Sequence, residues 1–81
     1  MIKWNCAFNI PDSTVQLAEA FVKVVEYKNI NNHSTVDVII TDESGEIVAK
    51  EYTQEFDRTF ENVDEIYEVL VEDFEDAVVI P

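Results

Sequence analysis

The amino-acid sequence predicts an α+β fold, a two-layer sandwich in which an antiparallel sheet carries two helices on one face. Three observations predict it: strict alternation of apolar residues near the start, a β-branched hairpin pattern in the middle, and two stretches with helical spacing. The resulting order is β-α-β-β-α. A final strand would make it the split β-α-β, ferredoxin-like arrangement, and without that strand it is a three-stranded sheet with two helices.

The first strand is indicated by residues 2–10, in which apolar and polar positions alternate without error. A period of two residues is typical of a strand with one buried face. Pro11 ends the strand, since proline lacks a backbone N–H donor. The apolar positions are Ile2, Trp4, Cys6, Phe8 and Ile10.

The first helix is predicted over about 13–28. Ser13 followed by Gln16 three residues later forms a capping box. The Asn-rich stretch 29–32 ends the helix, because asparagine favours C-caps and turns. The residues at helical spacing between these limits are Leu17, Ala18, Phe21, Val24, Val25 and Lys28.

A β-hairpin follows. The stretch 35–41 is rich in β-branched residues, 42–45 supplies turn residues, and 46–53 is the return strand. The buried face of the return strand stays open at this point, because Ile47 and Ala49 compete with Val48 and Tyr52.

The second helix is predicted from about Asn62 to Asp76. Asn62 with Glu65 three residues later is a cap-like pair, and the connection 54–61 before it is anchored by Phe56 and Phe60. Residues 77–80 are too short to classify by period, so they either extend the helix or form a last edge strand. The apolar stripe of this helix is Val63, Ile66, Tyr67, Leu70, Val71 and Phe74.

Length and composition predict one folded domain over residues 1–81. With 81 residues there is room for a single core, and at 47% hydrophobic residues the chain differs from a disordered tail. There is no apolar run long enough for a transmembrane helix and no signal-peptide layout. One cysteine, Cys6, cannot form an internal disulfide, which fits a reducing compartment. We therefore expect a cytoplasmic protein.

The net charge of −13 is concentrated in the second half of the chain. Residues 1–41 contain four acids and three bases, a net of −1, whereas residues 42–81 contain fourteen acids and two bases, a net of −12. A soluble surface of this size needs a net charge of only about 2–8 in magnitude. Because charge of one sign repels itself and destabilises a compact domain, such polarity indicates a binding role.

Catalysis and cofactors are not expected. His33, the only histidine, is in an Asn-rich loop. Cys6 is on the core face of the first strand, and no second histidine is available to pair with it as a nucleophile. The single glycine, Gly45, excludes a glycine-rich phosphate loop. The acids around Gly45 do not have EF-hand spacing. We expect no metal, no cofactor and no enzymatic activity.

The second helix carries the most informative acids. They recur every three or four residues opposite the apolar stripe without interspersed lysines, although an ordinary solvated helix face would contain Glu–Lys pairs. An exposed face that is acidic without any function is the alternative. The predicted partner-binding residues are Glu61, Asp64, Glu65, Glu68, Glu72, Asp73, Glu75 and Asp76, with Asp42, Glu43 and Glu46 of the hairpin extending the field if they share that side.

Carboxylates on neighbouring turns are about 5–6 Å apart, a spacing comparable to that of phosphates along a nucleic-acid strand. In size, charge and lack of catalytic residues, the chain resembles the small acidic proteins by which phages inhibit host restriction, CRISPR or DNA-repair enzymes, several of which are DNA mimics. The resemblance implies an inhibitor that binds the basic, nucleic-acid-binding groove of a host protein and does not bind nucleic acid or membrane itself. If a phage encodes it, its place is the host cytoplasm. The alternative is an acidic protein–protein adaptor or regulatory subunit, and a homodimer is compatible with either.

Overall fold

The computed structural model describes residues 1–10, 14 and 16–81 and contains a single antiparallel sheet. The strand order is β4-β3-β2-β1-β5, so consecutive strands β1 to β4 are neighbours and β5 returns to the free side of β1. One α-helix and a 3-10 helix connect β4 to β5. The elements are β1 Ile2–Asn9, β2 Gln16–Ile30, β3 His33–Thr41, β4 Val48–Phe56, α1 Val63–Leu70, the 3-10 helix Val71–Asp73 and β5 Ala77–Val79.

The predicted sandwich with two helices, including its ferredoxin-like version, is wrong. The stretch 13–28, expected to be the first helix, is instead occupied from Gln16 onward by the longest strand, β2. Ser13 of the predicted capping box lies outside the described residues. A register shift between Val24 and Glu26 explains the error. It inserts an extra residue into the strand, so the inward positions step by two and then by three, which resembles helical spacing.

The predicted first strand and the hairpin are confirmed as β1 and the β3–β4 pair. A second register shift, between Ile40 and Thr41, answers which residues of β4 face the core. Ala49 is buried and Tyr52 packs against the core as well, because the extra residue on β4 changes its alternation. These two bulges each obscured the period of two, and a third register shift lies in β1 between Asn5 and Phe8.

The core lies on one face of the sheet, where α1 covers it. From the sheet come Ile2, Val22, Val38 and Ile40, which are at most 2% exposed. The helix adds three buried side chains, Ile66, Tyr67 and Leu70, and Phe60 packs beside them. This core-facing side will be called the inner face of the sheet, and the opposite side the outer face.

The segment before α1 is fastened to the end of β2 that β1 does not reach. Ile2 pairs with Val22, so the β1 side of β2 has no described strand beyond that point. There the backbone N–H of Val24 donates to the Tyr67 hydroxyl at 2.9 Å. The side chain of Asn29 donates to the Phe60 carbonyl oxygen at 2.7 Å and accepts from the Phe60 N–H at 3.1 Å. The bond from Val24 satisfies an edge N–H that would otherwise be open to another strand, and the Asn29 bonds hold the segment before α1 against β2.

The second predicted helix is shorter than expected. It ends at Leu70 instead of continuing to Asp76, and a 3-10 helix follows. The ring of Phe74 then packs on Trp4 with centroids 4.8 Å apart. The open question at 77–80 is answered by β5, which pairs with β1 through Val79 opposite Ile2. None of the helices in the described part of the chain has the length and apolar character to cross a membrane.

A matched pair of valines tests whether β2 is a strand. Val22 is 0% exposed, whereas Val25 at the bulge is 66% exposed; in the predicted helix, Val25 would have been on the apolar stripe and Val22 would not. We expect Val22→Ala to lower the free energy of unfolding by about 2–3 kcal/mol, through lost burial and a cavity. Val25→Ala should change it by less than about 0.5 kcal/mol. Urea unfolding measures both, and the reverse order would contradict the strand.

Candidate acidic binding surface

The chain after Arg58 contains eight acids and no Lys, Arg or His. In the structure seven of the eight are exposed, and only Glu65 is half-buried. They line α1, the segment just before it and the segment between α1 and β5, all on the inner-face side of the sheet. These residues form the acidic surface: Glu61, Asp64, Glu65, Glu68, Glu72, Asp73, Glu75 and Asp76.

The predicted cap at the start of α1 is confirmed, and it gives Glu65 a structural role. The Asn62 side chain accepts the Glu65 N–H at 3.1 Å, and the Glu65 carboxylate accepts the N–H of Glu61 at 2.8 Å. Carboxylates in the first turn also interact favourably with the helix dipole. Glu65 therefore helps to begin the helix, while Asp64 and Glu68 project without such contacts.

The remaining acids do not continue one helical row, because α1 ends at Leu70. Glu72 and Asp73 belong to the 3-10 helix, and Glu75 and Asp76 form the turn into β5. Asp76 has a φ of +55°, a left-handed conformation that aspartate tolerates better than most residues. The acidic surface therefore follows the solvent-exposed side of α1 and then curves around the C-terminal end of this helix.

Nearly all of this charge is uncompensated within the described residues. Three ion pairs are present there: Lys3 with Glu19, His33 with Asp57, and Arg58 with Glu65. The Arg58–Glu65 pair, with nitrogen and oxygen 3.9 Å apart, is the one that reaches the acidic surface. Arg58 also stacks on the Phe60 ring, 4.3 Å from its centroid. The other seven carboxylates face solvent without a cation within 4 Å.

The hairpin acids belong to a different part of the molecule. Asp42 organises its own turn: its carboxylate accepts the N–H groups of Gly45 at 3.0 Å and Ile47 at 3.1 Å, and also the Ser44 hydroxyl. The bond from the Ile47 N–H is the main cause that lowers the pKa of Asp42. The turn requires glycine at position 45, where φ is +80°.

The turn lies beside Lys23, since a Cβ at Gly45 would be 3.8 Å from the Lys23 Nζ. Lys23 follows the core residue Val22 and therefore projects from the outer face. The helix covers the inner face. No hydrogen bond or ion pair among the described residues joins Asp42, Glu43 or Glu46 to the acidic surface, and their contribution to one acidic field stays a prediction.

Sequence reasoning did not single out the carboxylate of Asp37. It lies with that of Glu51 on the outer face of β3 and β4, and both line an open depression of about 300 Å³. The signal that could have found Asp37 is the alternation along β3, where Val36 and Val38 on either side of it are buried.

Groups that could hold a metal or perform nucleophilic chemistry do not converge in the described part of the chain. No three His, Cys, Asp or Glu side chains there are arranged as metal ligands. Cys6 is half-buried, and burial raises its pKa, so its thiol is protonated near neutral pH.

Comparison with protein-family models, with curated proteins and with solved structures finds no significant match for this chain.

The turn at Asp42 gives a prediction on pH. Because the pKa of Asp42 is lowered in the folded state, the ionised carboxylate stabilises the fold above its ordinary pKa of 3.8. This contribution is lost as the pH falls through the lower folded value. We expect Asp42→Ala to lower the free energy of unfolding at pH 7. The difference in this free energy between the variant and the unsubstituted chain should become smaller as the pH falls through this range. Thermal unfolding measures it, with Glu43→Ala as the matched control. A difference that does not depend on pH would contradict the assignment.

The uncompensated charge gives a prediction on salt. Pairs of like charges four residues apart destabilise a helix by about 0.2–0.5 kcal/mol each. Raising NaCl from about 0.01 to 0.15 M shortens the Debye length from about 30 to 8 Å. We expect the free energy of unfolding to rise by about 1 kcal/mol over this range, since several such pairs are screened. Glu68→Lys should be more stable at low salt and respond less. Stability that falls with added NaCl would contradict it.

Proposed function

We propose that this chain is a small acidic inhibitor whose acidic surface binds the basic, nucleic-acid-binding groove of another protein. The observation that carries the proposal is the run of seven exposed carboxylates without a cation within 4 Å on one side of the molecule. The partner is a protein that binds DNA or RNA, such as a restriction or CRISPR nuclease.

The spacing of the charges supports mimicry of a nucleic-acid strand. The α1 helix of eight residues and the 3-10 helix of three together extend about 18 Å, at about 1.5 and 2.0 Å per residue. Four acids without a cation within 4 Å fall within this length: Asp64, Glu68, Glu72 and Asp73. They give one charge per about 4.5 Å, compared with one phosphate per about 3.4 Å of a single DNA strand.

The charges have little value for the fold itself, which also supports a binding role. Glu72, Asp73, Glu75 and Asp76 follow the C-terminal end of α1, where the helix dipole disfavours negative charge by about 0.3–1 kcal/mol each. The last turn of α1 contains no base that offsets them. In addition, the chain resembles phage inhibitors of restriction and CRISPR systems in size and charge. This resemblance supports an inhibitor that acts on a host protein.

The proposal is tested by inhibition of nucleases. The purified chain is added to a panel of restriction and CRISPR nucleases, and DNA cleavage is measured. We expect inhibition of at least one, relief by excess substrate DNA, and at least about tenfold weaker binding when NaCl is raised from about 0.05 to 0.5 M, because both surfaces are screened.

Two double variants with the same change in charge form the control. Glu68→Lys with Glu72→Lys should remove inhibition, since it reverses the centre of the acidic surface. Glu51→Lys with Glu55→Lys alters β4 instead and should leave inhibition within about threefold, the effect expected of distant charges. If the target binds equally well after the helix substitutions, or at all salt concentrations, the contact is that of an adaptor and not of a nucleic-acid mimic.

A further inference from the structure

The outer face of the sheet carries an open groove beside a free strand edge. Strand β4 is the last strand on its side of the sheet, and no described residue pairs with its outer edge. Strands β2, β3 and β4 together enclose the depression of about 300 Å³ on the outer face. A free edge presents unpaired N–H and C=O groups that can accept a further strand.

The floor of this groove is apolar. Val25 projects from the bulge of β2 and is 66% exposed, and Ile39 of β3 lies half-buried beside it. A valine of a globular domain is ordinarily among the buried residues. The bulge therefore exposes an apolar surface that could hold the aliphatic part of a side chain from a partner.

The rim toward β4 is acidic. Thr53 donates to the Asp37 carboxylate at 2.8 Å, and Glu51 and Glu55 are exposed on the same face of β4. None of these three carboxylates takes part in an ion pair among the described residues. The bases of this face are Lys3 on β1 and Lys23 and Lys28 on β2, all on the far side of the groove from the edge of β4.

We propose that the edge of β4 and the adjoining groove bind an extended, basic segment of a partner protein as an additional strand. Backbone hydrogen bonds to β4 would supply affinity, and side chains on the outer face would supply specificity. A lysine or arginine suits the rim of the groove, because its aliphatic stem extends from the added strand across β4 and its charged head then lies near Glu51 and Asp37.

The register of β4 specifies the partner further. Glu51, Thr53 and Glu55 lie at alternate positions and point to the same face. In an added strand, basic residues four positions apart are therefore opposite the two glutamates, and the residue midway between them is opposite Thr53. A second copy of this chain is a poor occupant, since two copies would bring together net charges of −13. This surface is separate from the acidic surface, so the inference stands whether or not the inhibitor function holds.

The test uses a labelled peptide of nine residues, the length of β4, in which arginine and threonine alternate. A peptide of identical composition with all arginines at one end is the control, because any cationic peptide is attracted to an acidic protein. Fluorescence anisotropy gives the affinity. We expect the alternating peptide to bind about fivefold more tightly, the effect of two cross-strand ion pairs. It should also slow hydrogen exchange of the β4 amides.

The double variants separate specific docking from general attraction. Glu51→Lys with Glu55→Lys should weaken binding of the alternating peptide about tenfold, whereas Glu68→Lys with Glu72→Lys, an equal change in charge, should weaken it less than about threefold. Circular dichroism checks that both variants keep the sheet, and Glu51→Gln with Glu55→Gln offers a milder change. Equal binding of the two peptides, or equal losses in both double variants, would overturn the proposal. Slow hydrogen exchange of the β4 amides in a homodimer formed without peptide would also overturn the proposal.

Discussion

The fold depends on how one short α-helix covers part of one face of the sheet. Five strands form the sheet, and α1 contributes eight residues on one face. A sheet with an apolar face must pack it against another layer to be stable. The core is therefore concentrated where α1 crosses, at Ile2, Val22, Ile40 and Leu70, all buried. The opposite face has no helix among the described elements, so its side chains are the ones free to take other roles.

The same constraint explains the bonds along β2. This strand is longer than its neighbour β1, which leaves part of its edge without a partner strand. Tyr67 and Phe60 reach that edge from α1 and the segment before it, through the Val24 N–H and the Asn29 side chain. One short helix thus both covers the core and satisfies an exposed edge. The opposite edge, on β4, has no such cover in the described part of the chain, and this difference between the two edges underlies the proposed docking of an extended segment.

Local patterns predicted those elements whose signals lie within a few residues. The strand β1, the β3–β4 hairpin and the Asn62–Glu65 cap all belong to this group. The strand β2 was mistaken for a helix because the bulge at Val25 changes the alternation of its apolar residues. The early end of α1 could not be predicted, since no glycine or proline occurs between Leu70 and Pro81. The ring contact of Phe74 is with Trp4, seventy positions earlier in the chain. Likewise, the acids were identifiable one by one, but only the topology separates the hairpin from the helix.

The early end of α1 matters for how the acidic surface is understood. In a helix continuing to Asp76, the last acids would have formed a straight row with Glu65 and Glu68. Instead they wind around the C-terminal end of α1, where exposed carbonyl groups already carry partial negative charge. Neither local hydrogen bonding nor ion pairing within the described residues compensates Glu72, Asp73 and Glu75. Stability of the isolated chain would favour bases at these positions. In the function we propose, a cationic surface on a partner supplies the compensation that the fold lacks.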